Sequence, residues 1–264
     1  MATGMNLDLK GRTALVCGAS AGIGAASAKL LASQGARVIA LARREEELKK
    51  LVASLPGQGH RYVVADLMDR PALALKVKTA IGDAGGAIEI LVSNSSGPKG
   101  GPILEATEDE FLSVFEQHML SGHTLAQLLV PGMKDRGFGR IVNVISTSVK
   151  VPIPNLGVSN TIRWAVASWA KTLATELAPY GITVNSVLPG YTETDRLFSL
   201  LKASAGTQKR SEEEVAEEWK KHTPMRRFGK PEEIASAVAF FASPAAAYIT
   251  GTALAVDGGR TGSL

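Results

Sequence analysis

The stretch with the plainest chemistry is Cys17-Gly18-Ala19-Ser20-Ala21-Gly22-Ile23-Gly24. An apolar run, Arg12 to Cys17, leads into it, and a helix-like run, Ile23 to Gln34, leads out. A strand, a glycine-rich turn and a helix in that order form an anion site. The unpaired N–H groups and partial positive charge of the helix N-terminus face the turn, and small residues let a pyrophosphate reach the backbone. A second strand-like run, Arg37 to Ala42, completes a βαβ unit. Glycine spacing alone is weak evidence, and its place between strand and helix strengthens it. The plain alternative is a tight turn whose glycines serve close packing.

The remaining elements must hold that turn in place. Helical spacing covers Arg43 to Ser54, with Leu48, Leu51 and Val52 on one face, and Pro56-Gly57-Gln58-Gly59 ends it. Strands are expected at Arg61 to Ala65, Ile88 to Ser93, Arg140 to Ile145, Gly181 to Leu188 and Thr252 to Val256. Asp69 caps a helix running to about Ile81, and Thr107-Glu108-Asp109-Glu110 opens a helical stretch to Met133 with a capping box. Asn155 to Ala178 reads as a long helix, and Pro231 starts another through Ala242. Alternating strands and helices imply an α/β fold with a parallel sheet covered on both faces. No linker or repeat divides residues 1–264, so a single domain is expected, with residues 1 to 10 as a short leader.

Composition narrows the functional classes. The net charge of +4 on 264 residues is small and dispersed, which argues against a nucleic-acid partner. One cysteine, Cys17, excludes an intrachain disulfide and suits a reducing compartment. With no signal-like apolar core at the N-terminus and no membrane-length apolar run, a cytoplasmic protein with no membrane partner is expected.

Several motifs in order resemble the short-chain dehydrogenase/reductases, from Lys10 to Gly259. Gly18, Gly22 and Gly24, with Ile23 between them, match the family's glycine turn. Asp66-Leu67 matches its adenine-side acidic position. Asn94 and Gly97 match a turn that here reads Asn-Ser-Ser-Gly. Gly181 to Asn185, Pro189-Gly190 through Thr192 and Thr194, and Tyr248 to Gly251 with Asp257-Gly258-Gly259 match the closing motifs. The resemblance implies a Rossmann-type, doubly wound, three-layer α/β/α sheet and a nicotinamide cofactor. It also implies a small-molecule substrate and a homo-oligomer, dimer or tetramer, paired through helices at about 107 to 135 and 155 to 178.

The second strand ends Leu41-Ala42-Arg43-Arg44, with no acid before Glu45. An acid there would hold the 2′-hydroxyl of NAD, whereas an arginine accommodates a 2′-phosphate. NADP(H) is therefore favoured over NAD(H), gripped by Arg43 with Ser20 as a second contact. The bland reading of Arg43 and Arg44 is a solvated helix start.

The catalytic positions depart from the family. Members that reduce carbonyls carry a Ser, a Tyr-x-x-x-Lys and an Asn. The Ser position is Ser146; the Tyr position falls on Ser159, the Lys position on Arg163 and the Asn position on Met119. The tyrosines are Tyr62, Tyr180, Tyr191 and Tyr248, so none lies between Ser146 and Trp164. Ser159 is a shorter and much poorer acid than a phenol. Arg163 can hold the cofactor ribose but cannot release a proton. Tyr191, after Pro189-Gly190, is the nearest substitute donor, although packing is its favoured reading. His118 reads as structural and Lys150 as solvated. Thr192 to Phe228 is expected to be a lid-like insertion over the substrate.

Three functions stay open. The leading one is an NADP(H)-dependent oxidoreductase acting on a ketone or alcohol such as a 3-oxoacyl thioester, with an atypical site. The others are a non-redox lyase or isomerase on the same fold, and a non-catalytic cofactor-binding or sensor protein.

Overall fold

The computed structural model describes residues 4–262, so the first three residues of the expected leader lie outside the described residues. Seven strands form one parallel sheet: β1 (Thr13–Cys17), β2 (Arg37–Ala42), β3 (Arg61–Val64), β4 (Ile90–Ser93), β5 (Gly139–Val144), β6 (Ile182–Pro189) and β7 (Ala253–Val256). Their order is β3-β2-β1-β4-β5-β6-β7. The helices are α1 (Gly22–Ser33), α2 (Glu45–Ser54), α3 (Arg70–Asp83), α4 (Glu108–Phe115), α5 (Ser121–Asp135), α6 (Gly157–Leu177), α7 (Asp195–Gln208), α8 (Glu212–Lys221) and α9 (Pro231–Ala242).

All five residues of β1 are buried, so its alternating side chains feed both faces of the sheet. Ala14 and Val16 join Leu31, Val38, Ile90, Val142, Ile234 and Phe241 on one side. Leu15 and Cys17 join Leu73, Val77, Leu91, Leu125, Ile141 and Val184 on the other. This is the expected doubly wound α/β architecture. Strand order reverses at β1, whose neighbours are β2 and β4. Ligands in such sheets bind at the carboxyl ends of the strands flanking that reversal.

The expected caps form. Asp69 Oδ1 accepts from Ala72 N at 3.1 Å. Thr107 Oγ1 accepts from Glu110 N at 3.2 Å while Glu110 Oε2 accepts from Thr107 N at 2.9 Å. Two expectations change in detail. The helix from Arg43 begins only at Glu45, because Arg43 and Arg44 are needed to leave β2. The stretch from Thr107 to Met133 is α4 and α5 joined by one π-helical segment, Glu116–Leu120. The polar stretch after β6 contains α7 and α8, which share a small apolar cluster of Leu197, Leu201, Ala205, Val215 and Phe228.

Candidate active site

The glycine turn joins β1 to α1 at the sheet reversal. Gly18 has φ of 61°, and a Cβ there would lie 2.6 Å from Asn94 Nδ2. A Cβ on Gly24 would lie 2.2 Å from the Gly18 carbonyl oxygen. Neither position has room for a side chain, so the turn folds tightly against the N-terminus of α1. Asn94 Nδ2 donates to Cys17 O at 3.2 Å, which locks the end of β4 to the end of β1. Among the described residues α1 has no acidic side chain in its first turn and no side-chain N-cap bond. Its N–H groups are therefore left for an anion, which fits a dinucleotide.

Beyond the carboxyl ends of β2 and β3, Arg43 Nη1 lies 3.7 Å from Asp66 Oδ2, both side chains well exposed. Arg44 Nε donates to Ser20 Oγ and its Nη2 to Ser20 O, both at 3.2 Å. Both expected contacts, Arg43 and Ser20, stand at this corner. Arg44 joins them, although the sequence had offered it only as part of a basic pair.

β5 ends beside the next group. Ser146 Oγ accepts from Ser148 N at 3.1 Å, which occupies an acceptor site and leaves its own proton to donate. Ser159 and Arg163 stand four residues apart on α6 and so share one face. Arg163 is 6% exposed, and its Nη1 donates to Val144 O at 3.1 Å, two residues before Ser146. Burial, and next the charge of Arg196, bring its guanidinium down to about 10, so it stays charged at neutral pH.

The helix before β5 contributes His118. Met119 packs instead against the apolar cluster of Ile145, Val149, Val166 and Leu188. His118 is 6% exposed, and its Nδ1 lies 2.5 Å from Ser95 Oγ. Its Nε2 has no hydrogen-bond partner among the described residues. Burial and then the Arg163 charge hold its imidazole well below the usual pKa, against a smaller opposing effect of the Ser96 backbone. It is neutral at pH 7. His118 and Met119 both lie in the π-helical segment Glu116–Leu120, with His118 buried and Met119 against that apolar cluster.

Tyr191 lies on the other rim. Its ring stacks on Trp219 at 4.8 Å with 9° between planes, and its hydroxyl accepts from Arg260 Nη2 at 3.2 Å. Burial raises its phenol above the ordinary value, partly offset by Arg260. Thr192 Oγ1 donates to Gly190 O and Thr194 Oγ1 to Thr192 O, which stiffens the loop after Pro189. The Thr194 methyl sits 3.1 Å from where a Gly22 Cβ would stand, so the start of α7 lies over the glycine turn. Two residues on, Arg196 Nη2 donates to Pro98 O and its Nε lies 3.0 Å from an ideal Cβ on Gly97.

A Rossmann-like sheet with this turn at its reversal and a serine just past β5 is the frame of an oxidoreductase of the short-chain type. The chain belongs to the short-chain dehydrogenase/reductase family: the family model described as "Enoyl-(Acyl carrier protein) reductase" matches residues 18–261. Among its relatives is the 3-oxoacyl-[acyl-carrier-protein] reductase FabG of Vibrio cholerae, 37% identical over 255 residues, which are 96% of this chain and 98% of that one. The L-sorbose reductase of Gluconobacter frateurii, solved with NADPH and L-sorbose, superposes with a TM-score of 0.91 at 30% identity, covering 98% of this chain and 100% of that one. A variant of actinorhodin polyketide ketoreductase solved with NADPH gives 0.90 at 32% identity, covering 96% and 98%. No helix among the described residues is long and apolar enough to cross a membrane.

Proposed function

We propose that this protein is an NADP(H)-dependent oxidoreductase that interconverts a ketone and an alcohol, with a 3-oxoacyl thioester as one candidate substrate. The observation that carries the reading is the glycine turn, with its packed Gly18 and Gly24 under the open N-terminus of α1, flanked by Arg43, Arg44 and Ser20. Gly18, Gly22, Ile23 and Gly24 would take the diphosphate, and Arg43, Arg44 and Ser20 the 2′-phosphate. Asp66 and Leu67 would flank the adenine, and Asn94, Gly97, Pro189, Gly190, Thr192 and Thr194 the nicotinamide half. NADPH bound there supplies the hydride. Ser146 would donate a hydrogen bond to the carbonyl oxygen, Arg163 would hold the ribose, and Ser159 stands where the family keeps its phenol. The proton delivered to the product oxygen has no phenolic source on α6, so turnover is expected to be slow by about 10²–10⁴-fold unless water supplies it. The start of α7 over the glycine turn supports a lid at about 192–228. Exposed Leu112 and Trp164, on α4 and α6, support a homo-oligomer paired through those helices.

The test is titration with NADPH and NADH, then cofactor consumption on a 3-oxoacyl thioester and simple diketones. Tight NADPH binding with turnover is the expected result; failure to bind either cofactor would overturn the reading. Ser159 and Arg163 at the Tyr and Lys positions favour one second reading, a protein that binds NADP(H) without redox turnover. Tight binding with no reduction across the panel would select it.

A further inference from the structure

Resting on the oxidoreductase reading for its reaction, we propose that the site also seats an anionic group, with Arg196 as its main ligand and Arg163 behind it. The substrate would then be an oxo acid, with its carboxylate on the carbonyl carbon or on the carbon next to it.

How this chain treats a structural buried arginine makes the contrast. Arg140 is 3% exposed, and its Nε and Nη1 both donate to carbonyls: Nε to Ser243 O at 3.3 Å, and Nη1 to Gly139 O at 2.8 Å and Gly181 O at 3.2 Å. Arg140 also lacks a carboxylate within 4.0 Å among the described residues and feels the Arg12 charge, but Arg12 is itself paired with Glu89 at 3.6 Å, so the contrast lies in its bonded donors. Arg163 is buried as deeply but makes one bond to Val144 O, and its Nε has no partner among the described residues. Neither Arg163 nor Arg196 has a carboxylate within 4.0 Å among the described residues. Instead the Arg196 charge bears on Arg163, while burial alone bears on Arg196. Two like charges, one buried, without a counter-ion, are an unfavourable arrangement that an anion would relieve. His118 Nε2 is a second polar atom without a partner among the described residues, on a ring close enough to feel the Arg163 charge.

The placement selects the ligand. Arg163 holds the Val144 carbonyl, two residues before Ser146, so a group bound beside Arg163 is close to a carbonyl bound at Ser146. Arg196 comes from α7 and reaches the Pro98 carbonyl just past the β4 turn, closing over the same edge of the sheet. A guanidinium has five N–H donors, so Arg163 can serve both a ribose and the anion's field. The same chemistry has a second possible source, the diphosphate of the cofactor, and the arms of the test separate the two.

The experiment is calorimetric titration of the full chain, with and without NADPH, using oxamate and malonate against the neutral oxamide and malonamide. The acids are expected to bind the NADPH complex at least about ten-fold more tightly, the weight of one charge-assisted bond. Arg196→Met should remove that preference and Arg196→Lys restore part of it, with NADPH affinity changed less than about two-fold. Equal binding of acids and amides overturns the proposal. So does competition between the acids and NADPH with a matching loss of NADPH affinity in Arg196→Met, which would assign the anion to the cofactor. In the kinetic arm, 2-oxobutanoate and acetoacetate should exceed their methyl esters in kcat/KM. Acid binding without any reduction would keep the anion site and reject the redox reading.

Discussion

Ser95 Oγ and His118 Nδ1 lie 2.5 Å apart, which ties the turn after β4 to the π-turn between α4 and α5. The pair fixes one ring nitrogen and leaves Nε2 buried without a partner among the described residues. The charged group facing the ring is Arg163, so a proton on His118 would be both desolvated and repelled. The unfolded chain has no such penalty and takes up that proton near 6.5. Below that pH the unfolded state binds more protons than the folded one, so stability falls as pH falls and recovers as pH rises. His118→Asn, which has no titration there, should lose less stability than the parent between pH 7.5 and 5.5, by about 1 kcal/mol in urea denaturation. Parallel curves for the two proteins would show that the imidazole titrates normally.

Gly24→Ala should block the cofactor site. Its Cβ would meet the Gly18 carbonyl at 2.2 Å, and that oxygen is backbone that cannot rotate away. The turn must open, at a cost of about 1–3 kcal/mol in stability. NADPH titration should show loss of binding while the far-ultraviolet circular dichroism of the sheet and helices persists. Unchanged affinity would mean the turn is not the diphosphate site.

If Arg44 and Ser20 take the 2′-phosphate as proposed, Arg44→Ala should weaken NADPH and leave NADH nearly untouched. A charge-assisted bond contributes about 1.5–3 kcal/mol, so a loss of roughly 10–150-fold is expected. Arg43→Ala should do less, because Asp66 already draws Arg43 aside. The check is the ratio of the two dissociation constants in each variant; equal losses for both cofactors would point to general damage.

Tyr191→Phe separates packing from proton transfer. The ring keeps its stack on Trp219, and only the bond from Arg260 is lost. If packing is the role, kcat should stay within about three-fold and stability fall by ~1 kcal/mol. A fall in kcat of about 10²-fold or more, with KM steady, would make the phenol the missing acid.

Much of the frame was legible because its signals are local. The βαβ unit, the Asp69 and Thr107 caps and the start of α9 at Pro231 follow from residues a few positions apart. The site was legible where it rests on backbone, as at Gly18, Gly24 and Asn94. It was not legible where side chains from distant elements meet. Arg196 read as one charge in a polar segment, and only the fold carries it to Pro98. His118 read as structural, because nothing in the sequence places it against Ser95. The one clue was that Ser95 departs from the family's turn while a histidine stands near the expected asparagine. Arg44 was visible only as one member of a pair.

The π-turn at Glu116–Leu120 also acts as a phase setter for everything upstream of it. Each helical residue advances the screw by about 100°. Deleting one residue there would restore the regular thread, but it would swing α4 around its axis relative to α5. Val114, now inward with Val158 and Ile162, would leave its seat, and His118 would lose either its hydroxyl partner or its place near Arg163. A point substitution in this stretch disturbs one contact, whereas a length change re-indexes a whole arm of the molecule. Insertions and deletions should therefore be far rarer here than substitutions, although the stretch lies in the middle of a helix with no special residue to mark it.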